Sequence, residues 1–262
     1  MASIPQNPLT ACRSQLSGNA ACSTNSNLLR LIALGDCNTN SSDLNQGTLP
    51  AGVAEAFRDR NLNLAVTNLG AGMTTSREGL KYLHDRGHAA DFAILNFGLV
   101  DCWTTTIPGA YIPYFYPESK TRKLSRKVLK SVKRYFRMWP FKNFVPMGYV
   151  IKPAEYQKNI RAMIAKLRQW NPQISIYLWG TVPVVGNAKR NESIAEYNTL
   201  LLQIAQQESV TYIDSTNALS GLPAAETFVD DVHLSPKAAR LIGEQISDTF
   251  LRQSHNLAAE AA

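Results

Sequence analysis

Short apolar runs alternate with longer amphipathic stretches along most of this chain. Runs of four to seven residues predict buried β-strands at 28–34, 64–68, 91–97, 174–179 and 210–213. Stretches with apolar residues at helical spacing predict α-helices at 51–60, 76–86, 153–170, 191–207 and 235–251. This alternation predicts an α/β fold with a parallel five-stranded sheet and helices on both faces.

Length and composition fit one domain. The 262 residues, of which 45% are hydrophobic and 18% charged, are enough for one sizeable core. We therefore expect a single domain at 28–252, between a flexible leader at 1–27 and a flexible tail at 253–262. Residues 103–152 interrupt the alternation, and we expect this insertion to be a lid or an interaction segment.

The chain shows no secretory or membrane-spanning pattern. Its first residues lack the basic and then apolar layout of a secretory signal. No run approaches the roughly 18 apolar residues that span a bilayer. These features predict a cytoplasmic protein, with peripheral attachment to the inner membrane as the alternative.

The positive charge is concentrated in the insertion. Ten of the 27 basic residues lie between Lys120 and Lys142, a segment without acidic residues, whereas the rest of the chain is mildly acidic. Apolar residues recur there at helical spacing, which predicts a basic amphipathic helix. A lid or oligomer contact, a membrane-surface contact and a contact with an anionic partner all fit this segment 120–142. Nucleic acid is not expected, because no recognition motif accompanies the charge.

Four polar motifs lie at the ends of predicted strands or before the last helix. They are Gly35-Asp36-Cys37-Asn38, Asn68-Leu69-Gly70-Ala71-Gly72, Gly98-Leu99-Val100-Asp101-Cys102 and Asp230-Asp231-Val232-His233. In parallel α/β sheets, the loops after the carboxyl ends of the strands build the functional site. We therefore expect these four motifs to meet at one edge of the sheet.

The order and spacing of the motifs resemble the SGNH/GDSL hydrolases over about residues 28–251. The resemblance implies a three-layer flavodoxin-like fold and an acyl hydrolase or acyltransferase. It implies Cys37 as the nucleophile in place of the family's serine, His233 as the general base and Asp230 as the carboxylate that orients it. The backbone N–H groups of Cys37 and Gly70 would donate to the oxyanion. No metal or other cofactor is expected.

A cysteine at this position also agrees with elementary chemistry. A turn between a strand and a helix lies near a helix N-terminus, whose partial positive charge stabilises a thiolate. Acyl transfer would pass through a thioester on Cys37, which water, an alcohol, an amine or a thiol then attacks. Three explanations of Cys37 stay open: a native nucleophile, a designed replacement of serine, and a site without activity.

Val100 is the second departure from the family pattern, which has an asparagine there. That asparagine donates to the oxyanion, and the loss of one such donor costs about 3 kcal/mol. Asn38 or Asn40 would have to supply the missing donor to the oxyanion, or the site would have to rely on backbone N–H groups alone. The predicted substrate-contacting residues are Asn38, Asp101 and Trp103, with a role in bracing the loop as the alternative for Asp101.

Two hypotheses about function follow. The first is an enzyme that acts on an ester or thioester, with a small-molecule, carrier-bound or glycan acyl compound as substrate. The second is a catalytically degenerate SGNH-fold protein that binds a membrane surface or an anionic partner through its basic segment. The valine at position 100 favours binding, whereas the intact Asp-Asp-Val-His motif and the thiol favour catalysis.

Overall fold

The strands of this computed structural model form one large and one small sheet. The structure describes residues 28–40, 47–136 and 146–259, with side chains as far as Gln253. The strands are β1 (Leu29–Gly35), β2 (Leu64–Asn68), β3 (Phe92–Asn96), β4 (Thr104–Thr106), β5 (Met147–Tyr149), β6 (Ser175–Trp179) and β7 (Thr211–Ile213). Within the described residues, a five-stranded parallel sheet has the order β2-β1-β3-β6-β7, and β4 pairs with β5 in an antiparallel sheet.

Helices cover both faces of the large sheet. They are α1 (Leu49–Asp59), α2 (Ser76–Arg86), α3 (Lys120–Phe136), α4 (Pro153–Trp170), α5 (Ala188–Gln207), α6 (Ser215–Ala218), α7 (Ala224–Thr227) and α8 (Pro236–Ala259). Helices α1 and α8 pack on one face, and α2, α4 and α5 pack on the other. None of the helices in the described part of the chain is both long and apolar enough to cross a membrane.

Strand β3 shows why the sheet is buried on both faces. Phe92 and Ile94 point to the core beneath α1 and α8, whereas Ala93 and Leu95 point to the core beneath the other helices. A central parallel strand covered on both faces has a continuous apolar sequence rather than an alternating one. The predicted α/β class, the parallel five-stranded sheet and its helical layers are confirmed.

The last helix extends beyond its predicted end at Leu251. It continues to Ala259, so residues 253–259 of the predicted tail are helical. Residues 254–259 include one large apolar side chain, Leu257, so the sequence carries no helical periodicity from which this end could be predicted. The predicted leader at 1–27 lies outside the described residues.

The insertion contains the small sheet and the basic helix. Strands β4 and β5 pair through Thr104 and Tyr149, and α3 lies between them in the chain. The amphipathic helix predicted within the basic segment is confirmed for Lys120–Phe136. Residues 137–142 of that segment lie outside the described residues.

Candidate functional site

Three of the four motifs meet at a cavity of about 290 Å³ beside the ends of β1 and β3. Its lining residues are Cys37, Met73, Leu99, Val100, Trp103, Arg190, Asp230, Asp231, Val232 and His233. The second motif reaches this cavity only through its neighbour Met73. The expected convergence at one edge of the sheet therefore brings the predicted nucleophile, base and orienting carboxylate together.

Cys37 lies in a single tight turn after β1. The carbonyl of Asp36 accepts the N–H groups of Thr39 and Asn40 at 3.0 and 3.2 Å, and the next described helix begins only at Leu49. Burial raises the pKa of the Cys37 thiol, and the charge of Asp36 raises it further. Burial therefore opposes the expected thiolate and favours a neutral thiol at Cys37.

Burial also governs Asp36 itself. It raises the pKa of this carboxyl to about 7, although the backbone N–H of Asn38 donates to Oδ1 at 3.0 Å. Oδ2 is buried without a hydrogen-bond partner among the described residues. Asp36 therefore exchanges its proton near neutral pH and is coupled electrostatically to the neighbouring thiol.

Asp230 holds the His233 ring. The Nδ1 atom of His233 lies 2.6 Å from Oδ2 of Asp230, while Oδ1 accepts the N–H groups of Val232 and His233 at 2.7 Å each. Partial burial would raise the pKa of Asp230, but these hydrogen bonds outweigh it and lower the pKa. An ionised Asp230 accepts the Nδ1 proton, which leaves Nε2 as the basic ring nitrogen.

Asn38 joins the turn that carries Cys37 to the loop that carries His233. Its side-chain oxygen accepts the N–H of Leu234 at 3.0 Å, and its side-chain nitrogen donates to the Val232 carbonyl at 3.4 Å. Asn40 similarly donates to the Gly70 carbonyl at 2.9 Å. The sequence predicted that Asn38 contacts the substrate. In the structure its amide instead holds two loops together.

Gly70 also differs from its predicted role as an oxyanion donor. Its N–H donates to Oδ1 of Asn68 at 2.8 Å, and a Cβ atom at Gly70 would lie 2.5 Å from the Thr39 side chain. The glycine is therefore required by close packing, and its N–H is already used. Gly72 has open space around its Cβ position, and its N–H makes no hydrogen bond to any described residue.

Asp101 braces a helix rather than facing a substrate. It is completely buried, and its Oδ1 atom accepts the N–H and the hydroxyl of Ser76 at 2.9 and 2.6 Å, at the start of α2. Burial raises the pKa of Asp101 to about 7. The predicted substrate contact of Asp101 is corrected, because the side chain points into the protein and lines neither cavity.

Arg190 is a site residue that the motifs did not reveal. It lies at the start of α5, with its Cζ atom 4.7 Å from the centre of the Trp103 ring, and Nη2 donates to the Leu99 carbonyl at 3.4 Å. Its Nε atom is buried and has no acceptor among the described residues. The charge of Arg190 lowers the pKa of both Cys37 and Asp36, against the larger effect of burial.

A larger cavity of about 710 Å³ adjoins the first one. Met73 and Trp103 line both cavities, in agreement with the predicted location of Trp103 at the site. Residues of the insertion provide most of the remaining wall, including Lys130 and Arg134 of α3. The insertion therefore forms a basic compartment next to the thiol.

Comparison with known proteins agrees with this geometry. The family model for the GDSL-like lipase/acylhydrolase family matches residues 33–241. No curated protein matches the chain in sequence. Axe2, an acetylxylan esterase from Geobacillus stearothermophilus, is similar in structure with a TM-score of 0.55 and 18% identity, over 86% of this chain and 94% of Axe2.

Two further observations come from the structural neighbours. A protein from Desulfitobacterium hafniense DCB-2, assigned to the G-D-S-L lipolytic family, has a TM-score of 0.54 and 16% identity, over 84% of this chain and 98% of its own. Axe2 variants described as catalytic replace a serine, an aspartate or a histidine, and the last two are three positions apart. At these identities, the likeness shows a shared fold.

Proposed function

Because this chain belongs to the GDSL-like lipase/acylhydrolase family, we propose that it transfers acyl groups through a covalent intermediate on Cys37. The resemblance stated from the four motifs is confirmed for the family and the fold. The observation that carries the proposal is the shared cavity of Cys37 and His233, with Asp230 2.6 Å from the ring. Asp230 and His233 also have the three-residue separation of the catalytic aspartate and histidine of Axe2.

The proposed first step follows from the neutral thiol. The sulfur of Cys37 attacks the carbonyl carbon of an ester or thioester while its proton moves to Nε2 of His233. The new C–S bond replaces the bond to the leaving alcohol or thiol, which takes the proton from His233. The negative carboxylate of Asp230 stabilises the imidazolium that forms between these transfers.

The second step releases the acyl group from sulfur. Water or a second acceptor attacks the thioester and gives its proton to His233, and the proton then returns to the departing sulfur of Cys37. A thioester also reacts with alcohols, amines and thiols, so the same intermediate supports hydrolysis and transfer. The outcome depends on which acceptor enters the cavity and how well water is excluded.

Backbone N–H groups are the proposed donors to the oxyanion. Val100 has no side-chain donor, and the Gly70 N–H is used by Asn68. We assign this role to the N–H groups of Cys37 and Gly72, since Gly72 directly precedes Met73, which lines the cavity, and its N–H binds no described residue. An oxyanion hole without a side-chain donor is weaker, and the more nucleophilic thiol offsets part of that loss.

Arg190 favours a substrate with an anionic group near the acyl carbonyl. Its guanidinium borders the thiol cavity, and its buried Nε–H group donates to no described residue. Charged hydrogen bonds from arginine to carboxylate or phosphate are strong and directional. The basic compartment beside it has room for the non-acyl part of an anionic carrier-bound or glycan substrate.

Intact-protein mass spectrometry with 4-nitrophenyl acetate tests the covalent route. We expect one acetyl group on Cys37, no adduct in Cys37→Ala, and slow acylation in His233→Ala. Cys102→Ala is the control for a second thiol, because Cys102 is buried and does not line the cavity. Full activity of Cys37→Ala on an ester substrate would exclude the acyl-cysteine mechanism.

A further inference from the structure

Helix α3 turns most of its apolar side chains toward solvent. Four of them lie on one side of the helix with 40–63% of their surface exposed: Leu124, Val128, Val132 and Tyr135. Their spacing of four, four and three residues places them in one narrow band along the helix. We call this band the apolar stripe. A surface helix of a globular protein normally directs such a band into the core.

Charged residues of α3 make the contacts with the rest of the protein. Arg126 is buried, donates to the Pro113 carbonyl at 3.0 Å, lies 3.9 Å from the Tyr114 ring centre and forms an ion pair with Glu118. Lys133 is buried seven residues later and donates to the Thr105 hydroxyl at 3.2 Å. These contacts fix the orientation of the helix and keep the apolar stripe outside.

A basic ridge follows the apolar stripe along one side. It contains Lys120, Lys127 and Arg134, which recur every seven residues and are all exposed. Eight of the seventeen residues of α3 are Lys or Arg, and none is acidic. A second copy of this helix would be repelled by like charge, so the surface does not suit self-association.

We propose that α3 binds in the plane of an anionic lipid surface. The apolar stripe would lie at the boundary of the acyl chains, and the basic ridge would contact phosphate headgroups. Helices that lie in membrane interfaces combine such an apolar band with a polar face rich in Lys and Arg. The exposed aromatic ring of Tyr135 is suited to the same boundary.

The thiol cavity lies close to this surface. Arg134 belongs to the basic ridge and also lines the larger cavity, which adjoins the Cys37 site through Met73 and Trp103. When the protein is bound through α3, the larger cavity would lie beside the lipid headgroups. Binding itself does not depend on the chemistry of Cys37, so the two proposals can fail separately.

Sedimentation of the full chain with vesicles tests the surface. We expect binding to vesicles of phosphatidylcholine and phosphatidylglycerol and little binding to phosphatidylcholine alone. Lys120→Gln with Lys127→Gln and Arg134→Gln should weaken binding about 100-fold at low salt, at about fivefold per charge. The control Lys152→Gln with Lys158→Gln and Arg252→Gln removes three exposed charges elsewhere and should bind normally.

The apolar stripe has its own variant and control. Leu124→Ser with Val128→Ser and Val132→Ser should lower vesicle binding at least tenfold, because each change removes apolar area from the interface. Leu28→Ser with Val66→Ser and Leu202→Ser changes exposed apolar residues elsewhere and should bind normally. Failure of the full chain to bind anionic vesicles, or equal binding by both stripe and control variants, would overturn the proposal.

Discussion

Asp36 is buried and its chain neighbour Cys37 is half-buried, so their protonation is coupled. A buried thiolate is disfavoured most when the adjacent carboxylate is charged. The pKa of Asp36, about 7, means that this carboxylate is charged at pH 8 and largely neutral at pH 6. The reactivity of Cys37 should therefore depend on Asp36 only at the higher pH.

Asp36→Asn tests this coupling while keeping an acceptor for the Asn38 N–H. At pH 8, one unit above the pKa of about 7, only about a tenth of the Asp36 carboxyl groups are neutral. Alkylation of Cys37 by iodoacetamide should therefore be about tenfold faster in the variant than in the unchanged protein. The two rates should be nearly equal at pH 6. Asp85→Asn, an exposed change, is the control, and a ratio independent of pH would contradict the coupling.

Arg190→Gln tests recognition of an anionic substrate group. Loss of a charged hydrogen bond of about 1.5–3 kcal/mol should lower kcat/KM about 10- to 100-fold for 4-nitrophenyl hemisuccinate. The neutral ester 4-nitrophenyl acetate should be affected much less, because it offers no carboxylate to the guanidinium. Arg252→Gln is the control at an exposed position, and equal losses with both esters would assign Arg190 a purely structural role.

The start of α2 depends on a carboxyl group buried against the next loop. Asp101 binds both the N–H and the hydroxyl of Ser76, and burial raises the pKa of Asp101 to about 7. The folded pKa exceeds the unfolded value of about 3.9, so the folded state holds this proton more tightly. The contribution of the Asp101 carboxyl group to the free energy of unfolding is therefore fully present below about pH 4 and decreases as pH rises to about 7.

Asp101→Asn removes that dependence and keeps an acceptor for Ser76. The melting temperature of this variant minus that of the unchanged protein should increase from pH 5 to pH 8, because only the unchanged protein loses the contribution of Asp101 over this range. Calorimetry at several pH values measures the difference, with Asp85→Asn as the exposed control. A melting-temperature difference that stayed constant over this range would show that Asp101 is ionised throughout.

Helices α1 and α8 touch through glycines. A Cβ atom at Gly243 would overlap the backbone of Gly52, and one at Gly52 would overlap the carbonyl of Ala239. Gly243→Ala should therefore lower the free energy of unfolding by about 1–3 kcal/mol, although alanine favours a helix. Gly221→Ala is the matched control, because a Cβ there meets nothing, and urea denaturation compares the two.

The strands of the large sheet were predictable from their short apolar runs, as in Phe92–Asn96, and the long helices that cover it from apolar residues at helical spacing. The motifs also located Cys37, Asp230 and His233 correctly at one cavity. The close packing of Gly70 was not predictable, because the Thr39 side chain that it contacts comes from another loop. For Asp101 the sequence left substrate contact and bracing open, because its partner Ser76 lies 25 residues earlier in the chain. Arg190 had only a weak signal, a basic residue at the first turn of the helix after β6.

The positive charge of the molecule is concentrated on α3, away from the thiol cavity. Vesicle binding and ester hydrolysis should therefore differ in their dependence on salt. Salt screens exposed charges, so raising it from about 0.05 M to about 0.5 M should release the protein from anionic vesicles. Hydrolysis of a soluble ester should change little, because the thiol cavity does not include the basic ridge.

An ester embedded in phosphatidylglycerol vesicles therefore provides the decisive comparison. Its hydrolysis should fall with salt in parallel with vesicle binding, and the triple serine variant of the apolar stripe should show the same loss at low salt. That variant should keep kcat/KM for soluble 4-nitrophenyl acetate within about twofold, because its changes lie on the exposed side of α3. Equal losses on the soluble and embedded esters would mean that the apolar stripe supports the catalytic structure rather than membrane contact.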